Sequence, residues 1–179
     1  MESRIKNLKN YEEFRKVFDI FKYYPFFEAW TEDEFYEEFL YLKQMGEIFG
    51  CYLDDNEIVG LVSLIYGAKS SHPVKFENPE KVMYISDIAV TDKYRGNGFA
   101  KKLADFAIQY TYLLNYYNEM YLRTNLENSM SEKIFVDRGF EVIKNNGVII
   151  TEDVSFPRTN PAVNNIDTRK FLSLKLEKH

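Results

Sequence analysis

The alternation of apolar and polar residues divides the chain into short strands and three longer helices. Asn10-Tyr11-Glu12-Glu13 has the form of a capping box. Phe14, Val17, Phe18 and Phe21 then recur at helical spacing, and the helix is expected to end before Pro25. A second capping box, Thr31-Glu32-Asp33-Glu34, opens a helix with Phe35, Phe39 and Leu42 on one face, stopping near Gly46. Strands are predicted over 48–53 and 58–66, joined by the turn Asp54-Asp55-Asn56-Glu57. Residues 67–81, with Gly67, Ser70, Ser71, Pro73 and Pro79, form an irregular loop.

The run 82–90 is a strand apolar enough to be central. Phe99, Leu103, Phe106, Ala107, Tyr110 and Leu114 mark one face of a long helix reaching about Asn115. A strand over 119–124 follows, parallel to the central one through a crossover. Residues 130–138 form a short helix with Gly139 as its C-terminal cap. Segments 140–144 and 148–151 flank Asn145-Asn146-Gly147 as a hairpin, and a loop with Pro157 and Pro161 leads to a last strand over 170–176.

Between the central strand and the long helix lies Arg95-Gly96-Asn97-Gly98-Phe99-Ala100. Gly96 and Gly98 allow the backbone to come close to a ligand. The first helical turn offers N–H groups without internal partners and a partial positive charge, which suits a phosphate. A Walker loop requires Gly-Lys-Ser/Thr, but Phe99 follows Gly98. A dinucleotide fingerprint requires a third glycine where Lys101 stands. Taken alone, the loop also reads as a turn with a helix cap.

The loop resembles the coenzyme A loop of the GNAT superfamily of N-acetyltransferases, Arg/Gln-x-x-Gly-x-Gly/Ala. A second stretch matches as well. The family places Asn, a small residue three positions on, Leu-Tyr and then Gly-Phe around its fourth helix. Asn128, Ser131, Ile134-Phe135 and Gly139-Phe140 keep that spacing. The resemblance covers about residues 48–176. It implies one GNAT-like acyltransferase domain over 1–179, of the α/β class. The expected fold is a mixed, mostly antiparallel sheet with a splayed parallel strand pair in the middle and helices on both faces.

Composition agrees with a folded acyltransferase and narrows the alternatives. Hydrophobic residues make up 45% and the net charge is −5, which argues against disorder and against a basic nucleic-acid surface. No apolar run reaches the roughly 18 residues of a membrane span, and the N-terminus has no signal-peptide core. Cys51 is the only cysteine, which fits a reducing, cytoplasmic setting. It lies in an apolar strand and reads as a small buried hydrophobe rather than a nucleophile. With only His72 and His179, neither a Ser–His triad nor a His-based metal site is expected.

The resemblance implies acetyl-CoA as cosubstrate, with no metal. The pyrophosphate would meet the N–H groups of Gly96 to Ala100, beside Arg95. The pantetheine arm would pair with the backbone of Ile88, Ala89 and Val90 as another strand would. Asn128 and Ser131 would reach the pantetheine or sulfur, although Asn128 also suits a helix N-cap. Asp87 is the candidate base, with Ser86 expected on the opposite face, and a buried structural Asp is the alternative. The N–H near Ile88 would polarise the thioester carbonyl.

The chain departs from the family at Phe135, where a Tyr often protonates the leaving thiolate. Phe135 keeps only the ring; Tyr84, Tyr94 and Ser131 are other hydroxyls to consider. Phe27 and Trp30, in the aromatic stretch 25–30, either line the acceptor pocket or pack the helix pair. The acceptor is expected to be a small-molecule amine or a protein amine, with no nucleic acid or membrane partner. A homodimer is left open. A catalytically weak acyl-CoA-binding module is the competing reading, and Phe135 favours it.

Overall fold

The computed structural model describes residues 2–21, 30–155 and 166–177. Both expected capping boxes start helices. Asn10 Oδ1 accepts the Glu13 N–H at 3.1 Å, and α1 covers Tyr11–Phe21. Thr31 Oγ1 accepts the Glu34 N–H at 3.2 Å, and α2 covers Glu32–Met45 with Phe35, Phe39 and Leu42 buried, as the spacing predicts. β2, Gly46–Leu53, begins where α2 stops. This direct change from helix to strand needs Gly46, because a Cβ there would lie 1.7 Å from the Leu64 carbonyl oxygen.

β3 is Ile58–Tyr66 and β4 is Val82–Val90, the limits expected from the apolar runs. α3 spans Phe99–Leu113 and β5 Glu119–Asn125. α4 spans Ser129–Val136. After it, the Gly139 N–H bonds the Val136 carbonyl and the Phe140 N–H the Phe135 carbonyl, each at 3.0 Å, with Gly139 at φ 94°. This is the left-handed glycine stop that the sequence indicates.

Two strands were not legible in the sequence. β1, Ser3–Asn7, is an edge strand paired antiparallel with β2. The predicted hairpin divides into β6, Glu141–Val142, and a tight pair of β7, Lys144–Asn145, with β8, Val148–Ile149. β9, Thr151–Ser155, then pairs with β10, Ile166–Lys175, which begins earlier than the apolar pattern suggests. The expected loop with Pro157 and Pro161 lies outside the described residues.

The main sheet runs β1-β2-β3-β4-β5-β10-β6, with β9 also on β10. Among the described residues, every pairing is antiparallel except β4 with β5. One face carries α1 and α2, whose Phe14, Phe35 and Phe39 meet Leu61, Tyr84, Tyr121 and Phe171. The other carries α3 and α4, whose Leu103, Ala107 and Phe135 meet Val62, Met83, Ile85 and Leu122. Burial of each such side chain contributes about 1.5–3 kcal/mol, and the Phe14–Phe35 stack at 4.4 Å about 0.5–1.5 more. The two cores thus clamp the sheet from both faces where β4 and β5 meet.

Candidate active site

The site begins where β4 and β5 stop pairing. Their parallel register runs from Val82 opposite Glu119 to Ile85 opposite Leu122. β4 continues to Val90 against β3 alone, and β5 continues to Asn125 against β10 alone. The result is the expected V-shaped gap, with residues 86–90 of β4 half-buried along it.

A β-bulge marks the top of the gap. Ser63 of β3 faces Asp87, but Leu64 faces Ile85, so Ser86 is an extra residue. The bulge changes which face each side chain takes. Val82 and Tyr84 lie in the α1/α2 core and Met83 and Ile85 in the α3/α4 core; beyond the bulge, Ala89 joins the first and Ile88 and Val90 the second. Asp87 shares parity with Ala89, so it lies on the α1/α2 face. Strict alternation would have put it with Ile85. The expectation that Ser86 points away from Asp87 fails for the same reason: Ser86 Oγ donates to Asp87 Oδ2 at 3.0 Å, alongside Ser63 Oγ at 2.7 Å.

Below the gap, the glycine loop opens α3. Gly96 and Gly98 sit at φ 79° and 82°, and nothing lies within 4 Å of a Cβ built on either. The space above them is open. Asn97 Nδ2 donates to the Tyr94 and Arg95 carbonyls, fixing the loop. No side chain caps α3, and its first turn holds no acidic residue. The N–H groups there are available to an anion, and the residues present fit a pyrophosphate. Phe99 is buried in the α3/α4 core and anchors the turn, while Arg95 forms a surface ion pair with Asp92 at 2.9 Å.

The sequence profile of the Acetyltransferase (GNAT) family matches residues 11–140. The chain belongs to that family. The match starts upstream of the resemblance in the sequence and takes in α1 and α2. Among curated proteins, none matches the chain in sequence. Solved structures share its fold. An N-acetyltransferase from Staphylococcus aureus Mu50 superposes at a TM-score of 0.73 with 16% identity, over 99% of this chain and 100% of that one. Spermidine N-acetyltransferase from Vibrio cholerae, in complex with CoA and spermine, gives 0.70 with 16% identity over 97% and 95%. The ribosomal-protein-S18-alanine N-acetyltransferase from Escherichia coli gives 0.70 with 12% identity over 99% and 96%.

Several candidates in this GNAT chain take up structural duties. Asn128 is exposed, and its Oδ1 accepts the Ser131 N–H at 3.1 Å, the N-cap role. Ser131 is half-buried in the first turn of α4. Phe135 is 1% exposed and meets Phe140 edge-on at 5.2 Å. Tyr94 Oη already donates to Glu57 Oε2 at 2.7 Å. Tyr84 is buried on the α1/α2 face, where burial pushes its hydroxyl up to about 12. Cys51 is fully buried, and burial raises its thiol, as suits a core residue. Trp30 is half-buried with its edge to Phe35 at 6.2 Å, packed against the α1/α2 core. Phe27 lies outside the described residues.

The loop after β3 packs on the α1/α2 face against Tyr84 and Tyr121, in the paired part of β4 and β5, which the sequence did not reveal. The Lys69 N–H donates to Tyr121 Oη at 2.9 Å, so the Tyr121 proton is free to bond His72 Nδ1, also at 2.9 Å. His72 is 3% exposed, and burial, with Arg123, Lys69 and Arg169 nearby, lowers it to about 4. Its ring is therefore neutral. Glu38, half-buried on α2, is raised to about 7 by burial and then by the charge of Asp87, with Lys69 opposing. Its place in the sequence, inside a run of charged helix residues, carries no sign of this.

Proposed function

We propose that this chain is an acyl-CoA-dependent N-acyltransferase that moves acetyl from acetyl-CoA to a primary amine by direct attack within a ternary complex. The observation that carries this reading is the end of β4–β5 pairing at Ile85, with Asp87 a short step beyond it on the α1/α2 face. A pantetheine arm has amides that can extend a strand edge, and the open side of β4 over 86–90 offers one. The loop from Arg95 to Ala100 would hold the pyrophosphate.

Transfer forms an N–C amide bond and breaks the C–S thioester bond. This chain has three parts in it. Asp87 meets the ammonium of the acceptor, a backbone N–H near Ile88 hydrogen-bonds the thioester oxygen, and a proton must reach the sulfur. Asn128 and Ser131, at the head of α4, would lie on the sulfur side. With Tyr94 held by Glu57, Ser131 is the better-placed hydroxyl of those two. The acceptor is a small amine or a protein amine: relatives of this fold are named for spermidine and for the alanine of a ribosomal protein.

A second reading, an acyl-CoA-binding module with little activity, is favoured by Phe135. A thiol-release assay with acetyl-CoA and a panel of primary amines separates the two. Acceptor-dependent thiol release is expected. Protection by acetyl-CoA against heat, with no release for any amine, would establish the module instead.

A further inference from the structure

We propose that Glu38, on the sheet-facing side of α2, takes the proton from the acceptor amine, while Asp87, on the same face of the sheet, holds the amine's charge. This rests on the N-acyltransferase reading above. Glu38 lies one turn from Phe35 and one from Leu42, both buried, and so shares the face of α2 that packs on the sheet. α2 covers β2 and β3, and Asp87 stands across from Ser63 of β3. The bulge at Ser86 is what brings Asp87 round to the side where α2 lies.

The two carboxylates differ in what surrounds them. Asp87 Oδ2 already accepts from two serine hydroxyls, which fix it as a hydrogen-bond acceptor. Glu38 is half-buried, and the charged groups acting on it are Asp87 on β4 and Lys69 on the loop after β3. Lys69 Nζ is held 5.4 Å from the centre of the Tyr41 ring, three residues along α2 from Glu38. Other charges on packed elements are engaged elsewhere: Arg15 of α1 by Glu32, and Glu47 of β2 by Lys43 at 2.8 Å. Glu34, one turn back on α2, is exposed. Burial and a like charge make a carboxylate a better base near neutral pH, and carboxylates in different surroundings divide the labour of holding and taking a proton.

The proton count closes. An ammonium gives up two protons on becoming an amide: one passes to Glu38 and then to solvent, directly or through a water, and the other ends on the CoA sulfur as the thiol.

Two measurements test the assignment. In protein labelled with ¹³C at glutamate carboxyls, a carbon titrating near neutrality should disappear in Glu38→Gln. It should shift toward the ordinary carboxylate range in Asp87→Asn. In thiol release with spermidine, an alanine-initiated peptide and the amine panel, kcat/KM should rise with pH through the same value. Glu38→Gln should lose that limb and at least tenfold in rate, with thermal protection by acetyl-CoA unchanged. A Glu38 carbon titrating in the ordinary range, or a Glu38→Gln variant with the parent's rate and limb, overturns the assignment alone. A parent that acetylates nothing overturns the transferase reading beneath it.

Discussion

Ser63 and Asp87 face each other across the β3–β4 ladder, and the Ser63 hydroxyl donates to Asp87 Oδ2 at 2.7 Å. The contact exists because the strands slip by one residue at Ser86, which turns the carboxylate toward the α1/α2 face of the sheet. Asp87→Asn keeps the shape and the hydroxyl partners but removes the charge. Turnover on an amine should fall by roughly tenfold or more, because the charge of the acceptor loses its partner, while acetyl-CoA binding stays intact. Ser63→Ala should cost less, because Ser86 still donates. Steady-state kinetics with a thermal-shift control decides it, and full activity in Asp87→Asn would leave Asp87 a structural residue.

Gly98 stands at φ 82° above open space. A side chain there strains the backbone by about 1–2 kcal/mol and enters the place assigned to the pyrophosphate. Gly98→Asp adds a negative charge and should abolish the thermal shift that acetyl-CoA gives the parent through mass action. Gly98→Ala separates strain from charge and should retain part of the shift. Equal shifts in parent and Gly98→Asp would exclude this loop as the phosphate site.

His72 makes stability depend on pH. Its folded value, about 4, is below the ordinary 6.5, so the unfolded chain binds the proton more readily. Stability from this group is complete above pH 6.5 and is lost as pH falls toward 4, by up to roughly 3 kcal/mol at 1.36 kcal/mol per pH unit. His72→Asn should flatten the fall between pH 6.5 and 4 in denaturant unfolding, while lowering stability at pH 7 through lost packing. An unchanged slope would show that other groups govern it.

Phe135→Tyr restores the hydroxyl often found in the family. A CoA thiolate leaves readily because a thiol near pKa 8.5 is partly ionised at neutral pH, so a proton donor helps without being required. The parent should already transfer acetyl, and Phe135→Tyr should leave the rate unchanged or raise it modestly. A silent parent that Phe135→Tyr awakens would replace the enzyme reading with the binding-module one.

Local pattern was enough for much of this protein. The capping residues Asn10 and Thr31, the limits of β3 and β4, the left-handed stop at Gly139 and the loop around Gly96 and Gly98 are all set by nearby chemistry. Each needs only a side chain within a few residues or a period of two, so the sequence displays it. The order and spacing of the two short motifs likewise pointed to the family that the profile match over 11–140 establishes.

Tertiary structure decided what depends on distant partners. β1 alternates half-buried and exposed positions and becomes a strand because β2 is beside it; β9 does so because β10 is. The bulge at Ser86 arises from the register between β3 and β4, which no property of Ser86 announces, and a slip of one residue reverses the faces beyond it. Glu38 lies among charged helix residues, yet its carboxyl answers first to burial and then to Asp87, which is remote in the chain. The sequence by itself determined the helices, the central strands and the glycine loop that opens α3. Only tertiary packing decided which face of the sheet Asp87 takes and what surrounds Glu38, because burial and charge act through space rather than along the chain.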